Sequence, residues 1–245
     1  MPVFSKDGKN VLFIHIPKTG GSSIDTVFRM SGYEMHFVDG DVGEGTINHL
    51  RRCTPQHMHA AMLRQTFKLH RFDVIFMIVR DPVARFRSEY LWRNRKKKHI
   101  PTDAESVQTW ADESFAKFAD DSYTYDNHLR PQVDFLVPGA KVYHIEDGMD
   151  SILADLNDTY GLGLQEQAPR LREGTTKTGV SSRDVVISPA VERRVKQFYR
   201  RDYEQFGYTG GPETSTMRRL GRGLSRSRPG VALRKIARRA AKALR

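Results

Sequence analysis

Val11-Leu-Phe-Ile-His-Ile-Pro-Lys-Thr-Gly-Gly-Ser-Ser23 runs from an apolar stretch into a proline, a lysine, two glycines and two serines. Val11–Ile16 reads as a short buried strand. Beyond the serines, Ile24, Val27 and Phe28 recur at helical spacing. Between strand and helix, the glycines let the backbone turn tightly and bring its N–H groups close to an anion. The helix N-terminus adds partial positive charge. Lys18 contributes a full charge, and Thr19, Ser22 and Ser23 contribute hydroxyls. The segment therefore predicts a cradle for a phosphate or sulfate over Lys18, Thr19, Gly20, Gly21, Ser22 and Ser23. Its lysine precedes the glycines, the reverse of the Walker A order G-x-x-x-x-G-K-[ST]. An ordinary strand–turn–helix junction with a surface lysine is the plain alternative.

A second junction of the same kind follows. Val74–Val79 is an apolar, β-branched run closed by Arg80-Asp81-Pro82. Asp81 is suited to cap a helix with Pro82 at its first position, and Val83, Phe86 and Tyr90 repeat at helical spacing. Arg80 thus stands at the carboxyl end of a strand, where open α/β sheets bind ligands. Ser88 lies two turns into the helix, on the face of Asp81 and Ala84. Together they predict a second anion site, with Arg85 and Arg87 read as solvated helix positions. Lys141–Ile145 is a third strand candidate. Asp150–Tyr160 reads as a helix stopped by Gly161, and Ser188-Pro189 opens another that continues through Phe206 to Gly207. Residues 161–187 and much of 31–56 and 96–125 read as loops. Short apolar strands separated by helices indicate an α/β fold, a central parallel β-sheet flanked by helices. Thr209-Gly-Gly-Pro212 marks a boundary between one domain, 1–210, and a tail, 211–245.

These residues carry a resemblance. His15-Ile-Pro-Lys-Thr-Gly-Gly-Ser-Ser23 resembles the 5′-phosphosulfate loop of sulfotransferases that use 3′-phosphoadenosine 5′-phosphosulfate (PAPS). Arg80-Asp-Pro-Val-Ala-Arg-Phe-Arg-Ser88-Glu-Tyr90 resembles their 3′-phosphate motif. The wording is closest to the carbohydrate branch, which includes the heparan and dermatan 2-O-sulfotransferases and the chondroitin enzymes. The resemblance implies a P-loop-like sulfotransferase fold and PAPS as donor. Lys18 would contact the bridging oxygen and sulfuryl group, residues 19–23 the 5′ side, and Arg80 and Ser88 the 3′-phosphate. Asp126-Asn-His-Leu-Arg-Pro-Gln132 is similar to the family's H-x-R-P-Q stretch near the acceptor, which brings in His128 and Arg130. Leu171–Thr178 is similar to a loop that closes over the nucleotide, which brings in Arg172, Thr175 and Lys177. His57-Met58-His59 resembles the H-x-H of the 2-O enzymes, implicated as base and partner.

Sulfuryl transfer to an alcohol calls for a base of near-neutral pKa, and histidine is the natural candidate. His57 ranks first, His59 second and His128 third, while His15, inside the first strand, reads as structural. Two surface histidines in the loop beginning Thr54-Pro55 are the plain alternative for His57 and His59. A zinc site joining His57, His59 and His128 lacks a supporting carboxylate spacing, and no metal is expected. The acceptor is expected to be a carbohydrate or lipid-linked glycan. The rival readings are a kinase with a variant phosphate loop and a non-enzymatic module that binds polyanions or membranes.

The 40 Lys+Arg against 29 Asp+Glu give a net charge of +11 over 245 residues. Residues 213–245 hold eleven of those bases and a single acid, so the body is nearly neutral. In the tail, Leu233, Ile236, Ala237, Ala240 and Leu244 form one helical stripe among basic residues. That pattern suits an anionic membrane surface; a disordered solubilising tail is the alternative, and nothing in it suggests nucleic acid. The single cysteine, Cys53, excludes an intrachain disulfide framework. The opening MPVFSKDGKNVLFIHIP lacks a signal-peptide pattern. Together with the missing anchor and disulfide set of the animal enzymes, this leads us to expect a bacterial, cytoplasmic enzyme, with peripheral contact at the inner membrane face.

Overall fold

A computed structural model describes residues 3–167 and 179–211. Arg172, Thr175, Lys177 and the basic tail with its amphipathic stripe lie outside the described residues. The centre is a five-stranded sheet in the order β3-β1-β2-β4-β5. Its strands are β1 (Val3–Lys6), β2 (Lys9–Ile14), β3 (Glu34–His36), β4 (Val74–Val79) and β5 (Lys141–His144). The strands foreseen at 11–16, 74–79 and 141–145 are β2, β4 and β5, and they form the parallel part, with Phe13 beside Phe76 and Met77 beside Val142. The edge is antiparallel. β1 folds back on β2 through Asp7-Gly8, both at positive φ, and β3 pairs with β1. An Asp-Gly between two apolar pairs is a hairpin signal, so this edge was within reach of the sequence.

Side chains alternate across the sheet and bury both faces. Phe13, Phe76, Ile78 and Tyr143 meet α1 (Gly21–Met30) and α5 (Met149–Tyr160) through Ile24, Val27, Phe28, Leu153 and Leu156. On the other face Leu12, Ile14, Met77 and Val79 meet Leu63 of α2 (Ala60–Thr66), Phe135 and Phe206. Phe76 is fully buried and packs on Phe13 and Phe28; truncating it to alanine would cost about 3–5 kcal/mol.

A third cluster joins α3 (Pro82–Asn94), α4 (Ala104–Asp120), α6 (Pro189–Phe198) and α7 (Arg200–Phe206) through Phe86, Tyr90, Ala111, Phe115, Val195 and Tyr203. The 96–125 stretch, expected to be largely loop, contains the seventeen-residue α4. Asp103 caps it by accepting from Ser106 N, and Val107, Ala111, Ser114 and Phe115 face inward. The small and polar members of that stripe dilute the hydrophobic period. The single helix expected over 188–206 divides at Tyr199 into α6 and α7. Among the described residues no helix is long and apolar enough to cross a membrane.

Candidate active site

β2 and β4 run parallel and deliver two loops to the same end of the sheet. The first, Pro17–Gly20, enters α1 with Lys18 at φ 70° and Gly20 at φ 94°. A side chain at Gly20 would press on Ile145 and Met149, and one at Gly21 would overlap the His15 ring. The glycines therefore keep the backbone bare where the loop meets its neighbours. Thr19 is fully buried, and its hydroxyl donates to the Ile16 carbonyl at 2.9 Å. This corrects the expectation of a ligand-facing hydroxyl: Thr19 holds the loop's shape. Ser22 is exposed on the cleft, whereas Ser23 does not line it. The Lys18 ammonium lies 4.4 Å from the Trp92 ring centre.

The second loop carries Arg80. Gln132 brackets its main chain, accepting from Arg80 N at 2.9 Å and donating to Arg80 O at 2.8 Å. Its guanidinium donates to the Lys18 carbonyl at 3.3 Å, which joins the two loops. Burial lowers the Arg80 pKa from its ordinary value, with Glu146 and Asp81 opposing, and the group stays charged. Asp81 caps α3 as predicted, accepting from Ala84 N at 2.8 Å, and Ser88 faces the cleft two turns on. Arg85 is not solvated: it is 2% exposed. Its guanidinium donates to Pro17 O at 3.0 Å, Arg130 O at 3.0 Å and His128 O at 2.7 Å. It ties the Lys18 loop to the 126–132 segment, and its partners are carbonyls that a local sequence pattern does not reveal.

The same cleft is lined by imidazoles. His57 leaves a 3₁₀ turn over Pro55–His57 and meets Asp126, Nδ1 to Oδ2, at 2.7 Å. Asp126 also accepts from Thr54 N at 2.7 Å and Thr54 Oγ1 at 2.8 Å. Burial pushes the Asp126 carboxyl up, but His57 and Thr54 outweigh it and hold it below its ordinary value. His128 Nδ1 meets Glu89 Oε2 at 2.6 Å, and Arg93 pairs with the other Glu89 oxygen. Burial lowers the His128 pKa to about 4 despite Glu89, so the ring is neutral at pH 7. Burial raises the Glu89 carboxyl, yet His128 and Arg93 together hold it at about 2. Since His128 is neutral there, Arg93 supplies the formal charge. Tyr125, Asp126 and Asn127 all have φ near +60°, three successive left-handed residues at about 1–2 kcal/mol each. Asn127 Nδ2 donates to His57 O at 2.8 Å and Arg93 to Tyr125 O at 2.9 Å, which holds the turn in place.

One cleft of about 360 Å³ is lined by Lys18, Gly20, Gly21, Ser22, Arg80 and Ser88 together with Gln56, His57 and His128, and by Trp92 and His15. The expected pairing of His57 and His59 does not hold. The chain turns between them, His59 stands before α2, and its Nε2 meets Tyr123 Oη at 3.1 Å away from the cleft. Arg130 is likewise absorbed by the fold, donating to Asn127 Oδ1 and Ser122 and lying 3.7 Å from Asp134. Sequence reasoning missed Asp126, Glu89, Arg85 and Trp92. Arg85 and Glu89 do leave a trace, as charges at i and i+4 beside the helix's apolar positions. His57, Asp126 and His128 offer ligand atoms within 4.8 Å of one another, a grouping with the geometry to hold a divalent cation, in which Asp126 takes the place the sequence reading gave to His59.

No curated protein and no solved structure matches the chain. The model of the sulfotransferase family, by contrast, matches residues 1–209, which span both loops, the imidazoles and every described helix. A chain matched over that length belongs to the sulfotransferase family.

Proposed function

We propose that the protein transfers the sulfuryl group of PAPS to a hydroxyl of a carbohydrate acceptor. The observation that carries this reading is the convergence of two cationic loops on one cleft, facing a carboxylate-anchored imidazole. The bare Gly20–Gly21 backbone, Lys18 and Ser22 suit a phosphosulfate. Arg80 and Ser88 suit a separate phosphate on the same ligand. The donor set and the glycine cradle fit PAPS, which when bound supplies an activated sulfuryl group on a phosphate leaving group.

The chain's own part follows from its charges. Lys18 neutralises negative charge that builds beside it, and the Arg80 guanidinium fixes the distal phosphate. Asp126, held ionised, accepts a hydrogen bond from His57 Nδ1–H. That places the His57 lone pair on Nε2 for the acceptor proton. Calorimetry with adenosine 3′,5′-bisphosphate and with AMP tests the donor half. Tighter binding of the bisphosphate, weakened by Arg80→Ala, is expected; equal affinities would overturn it. Transfer of ³⁵S from PAPS to a panel of glycosides tests the acceptor half.

A further inference from the structure

Only one imidazole is needed to take a proton, yet of the three that line the cleft, His15, His57 and His128, two are anchored at Nδ1, each by its own carboxylate. We propose that the site takes an acceptor bearing two neighbouring hydroxyls. His57 removes the proton of the one to be sulfated, and His128 accepts a hydrogen bond from its neighbour. The inference rests on the sulfuryl-transfer reading and narrows its acceptor to a vicinal diol.

The argument is one of donors and acceptors. An ionised carboxylate can only accept, so the 2.7 Å His57–Asp126 and 2.6 Å His128–Glu89 contacts each require a proton on Nδ1. In a neutral imidazole that leaves Nε2 as an acceptor. With the His128 Nδ1 proton directed at Glu89, the Nε2 of the neutral ring seeks a donor rather than offering one. The rings stand 4.9 Å apart at 86°, and both line the cleft. A single hydroxyl has one proton and satisfies one nitrogen; two hydroxyls on adjacent carbons satisfy both. With the His128 side chain only 10% exposed, leaving its nitrogen unmatched is costly, which makes the second hydroxyl a basis for selection. In the reaction the first hydroxyl oxygen gains the sulfuryl group and its proton passes to His57 Nε2. The electron pair of the broken sulfur–oxygen bond leaves with the donor phosphate. The second hydroxyl is unchanged, so His128 acts by positioning.

Two measurements test this. Long-range ¹H–¹⁵N spectra of the full chain labelled at histidine should show both neutral rings protonated at Nδ1. Asp126→Asn should disturb the His57 pattern alone. Either ring protonated at Nε2 instead would overturn the proposal. The second compares ³⁵S transfer to p-nitrophenyl glycosides with transfer to their analogues deoxygenated next to the sulfated position. The wild type should lose roughly 10–100-fold in kcat/KM on the analogue. In His128→Ala the intact and deoxy acceptors should come within about twofold of each other. Should His128→Ala fold poorly, the wild-type comparison stands alone. Equal rates on both acceptors, a penalty that persists in His128→Ala, or no transfer to any diol-bearing glycoside would each overturn it. So would loss of transfer on EDTA treatment, which would make the imidazoles metal ligands. Failure of the bisphosphate preference in calorimetry would instead strike the sulfuryl-transfer reading beneath.

Discussion

The two walls of the cleft are built on different principles. The wall proposed to hold the donor comes from two contiguous segments, each a strand end, a loop and a helix, and its polar groups are cations, two serines and bare backbone. The wall proposed to hold the acceptor is assembled from the 54–57 turn, the middle of α3 and the 125–132 segment, and its imidazoles are held by carboxylates. A wall made from one segment can be changed one residue at a time. A wall made from three fails when the residues that join them fail.

Lys18→Ala should be the deepest single cut on the donor side. Removing the cation proposed to stand beside the leaving group should lower turnover by about 10²–10³-fold, while adenosine 3′,5′-bisphosphate should still bind through Arg80 and Ser88. Single-turnover kinetics beside calorimetry separate the two. A proportional loss of affinity and rate would mean that Lys18 only binds.

Arg85→Leu should break both walls at once. It leaves the carbonyls of Pro17, His128 and Arg130 without their buried donor, at about 1–3 kcal/mol each where water cannot replace it. A clear fall in denaturation midpoint is expected. So is loss of the His57–His128 arrangement in spectra of the surviving folded fraction. A stable variant with normal activity would show that the walls are joined elsewhere.

What could be read from the sequence follows the same division. That Lys18, Gly20, Gly21, Arg80 and Ser88 meet at one cleft was legible because each lies within nine residues of a recognisable strand end, and local order determines where it points. Thr19 was misassigned because a hydroxyl beside an anion loop looks alike whether it faces the ligand or the Ile16 carbonyl. His57 and His128 could be named but not paired with Asp126 and Glu89. Those contacts span 69 and 39 residues, and burial, not spacing, makes them matter. His59 was drawn in by its neighbour, and a 3₁₀ turn followed by a helix start sent it elsewhere.

Acid should distinguish the walls without any mutation. Burial holds His128 at about 4, below its ordinary value, so between there and about 6.5 the unfolded chain binds a proton that the folded one refuses. Glu89, held at about 2, adds the same sign at lower pH, because its unfolded form takes up a proton first. Stability should therefore be fully present above about pH 6.5 and fall as pH drops towards 4, by up to about 3 kcal/mol from His128 alone. The Arg80 guanidinium keeps its charge throughout. Thermal denaturation against pH checks this, and His128→Gln should flatten the slope over pH 4–6.5. An unchanged slope would mean that another buried group, such as His15, whose pKa burial also lowers, carries the acid sensitivity.

The smallest expected effect is also the sharpest check on where the acceptor wall ends. His59 shares a motif with His57, yet its ring turns to Tyr123, and burial with the nearby Arg130 lowers its pKa. If the wall consists of the two carboxylate-anchored rings alone, His59→Ala should change kcat by less than about threefold, against the roughly 10²–10⁴-fold expected of the base His57. Its cost should show instead as a modest drop in melting temperature from the lost Tyr123 contact, on the order of 1 kcal/mol. Rescue by His59→Gln, which can still bond to the phenol, would mark the role as one of packing. A rate loss comparable to that of His57→Ala would return His59 to the chemistry. It would require the 57–59 turn to rearrange when acceptor binds, and the two-imidazole seat would become a three-imidazole one.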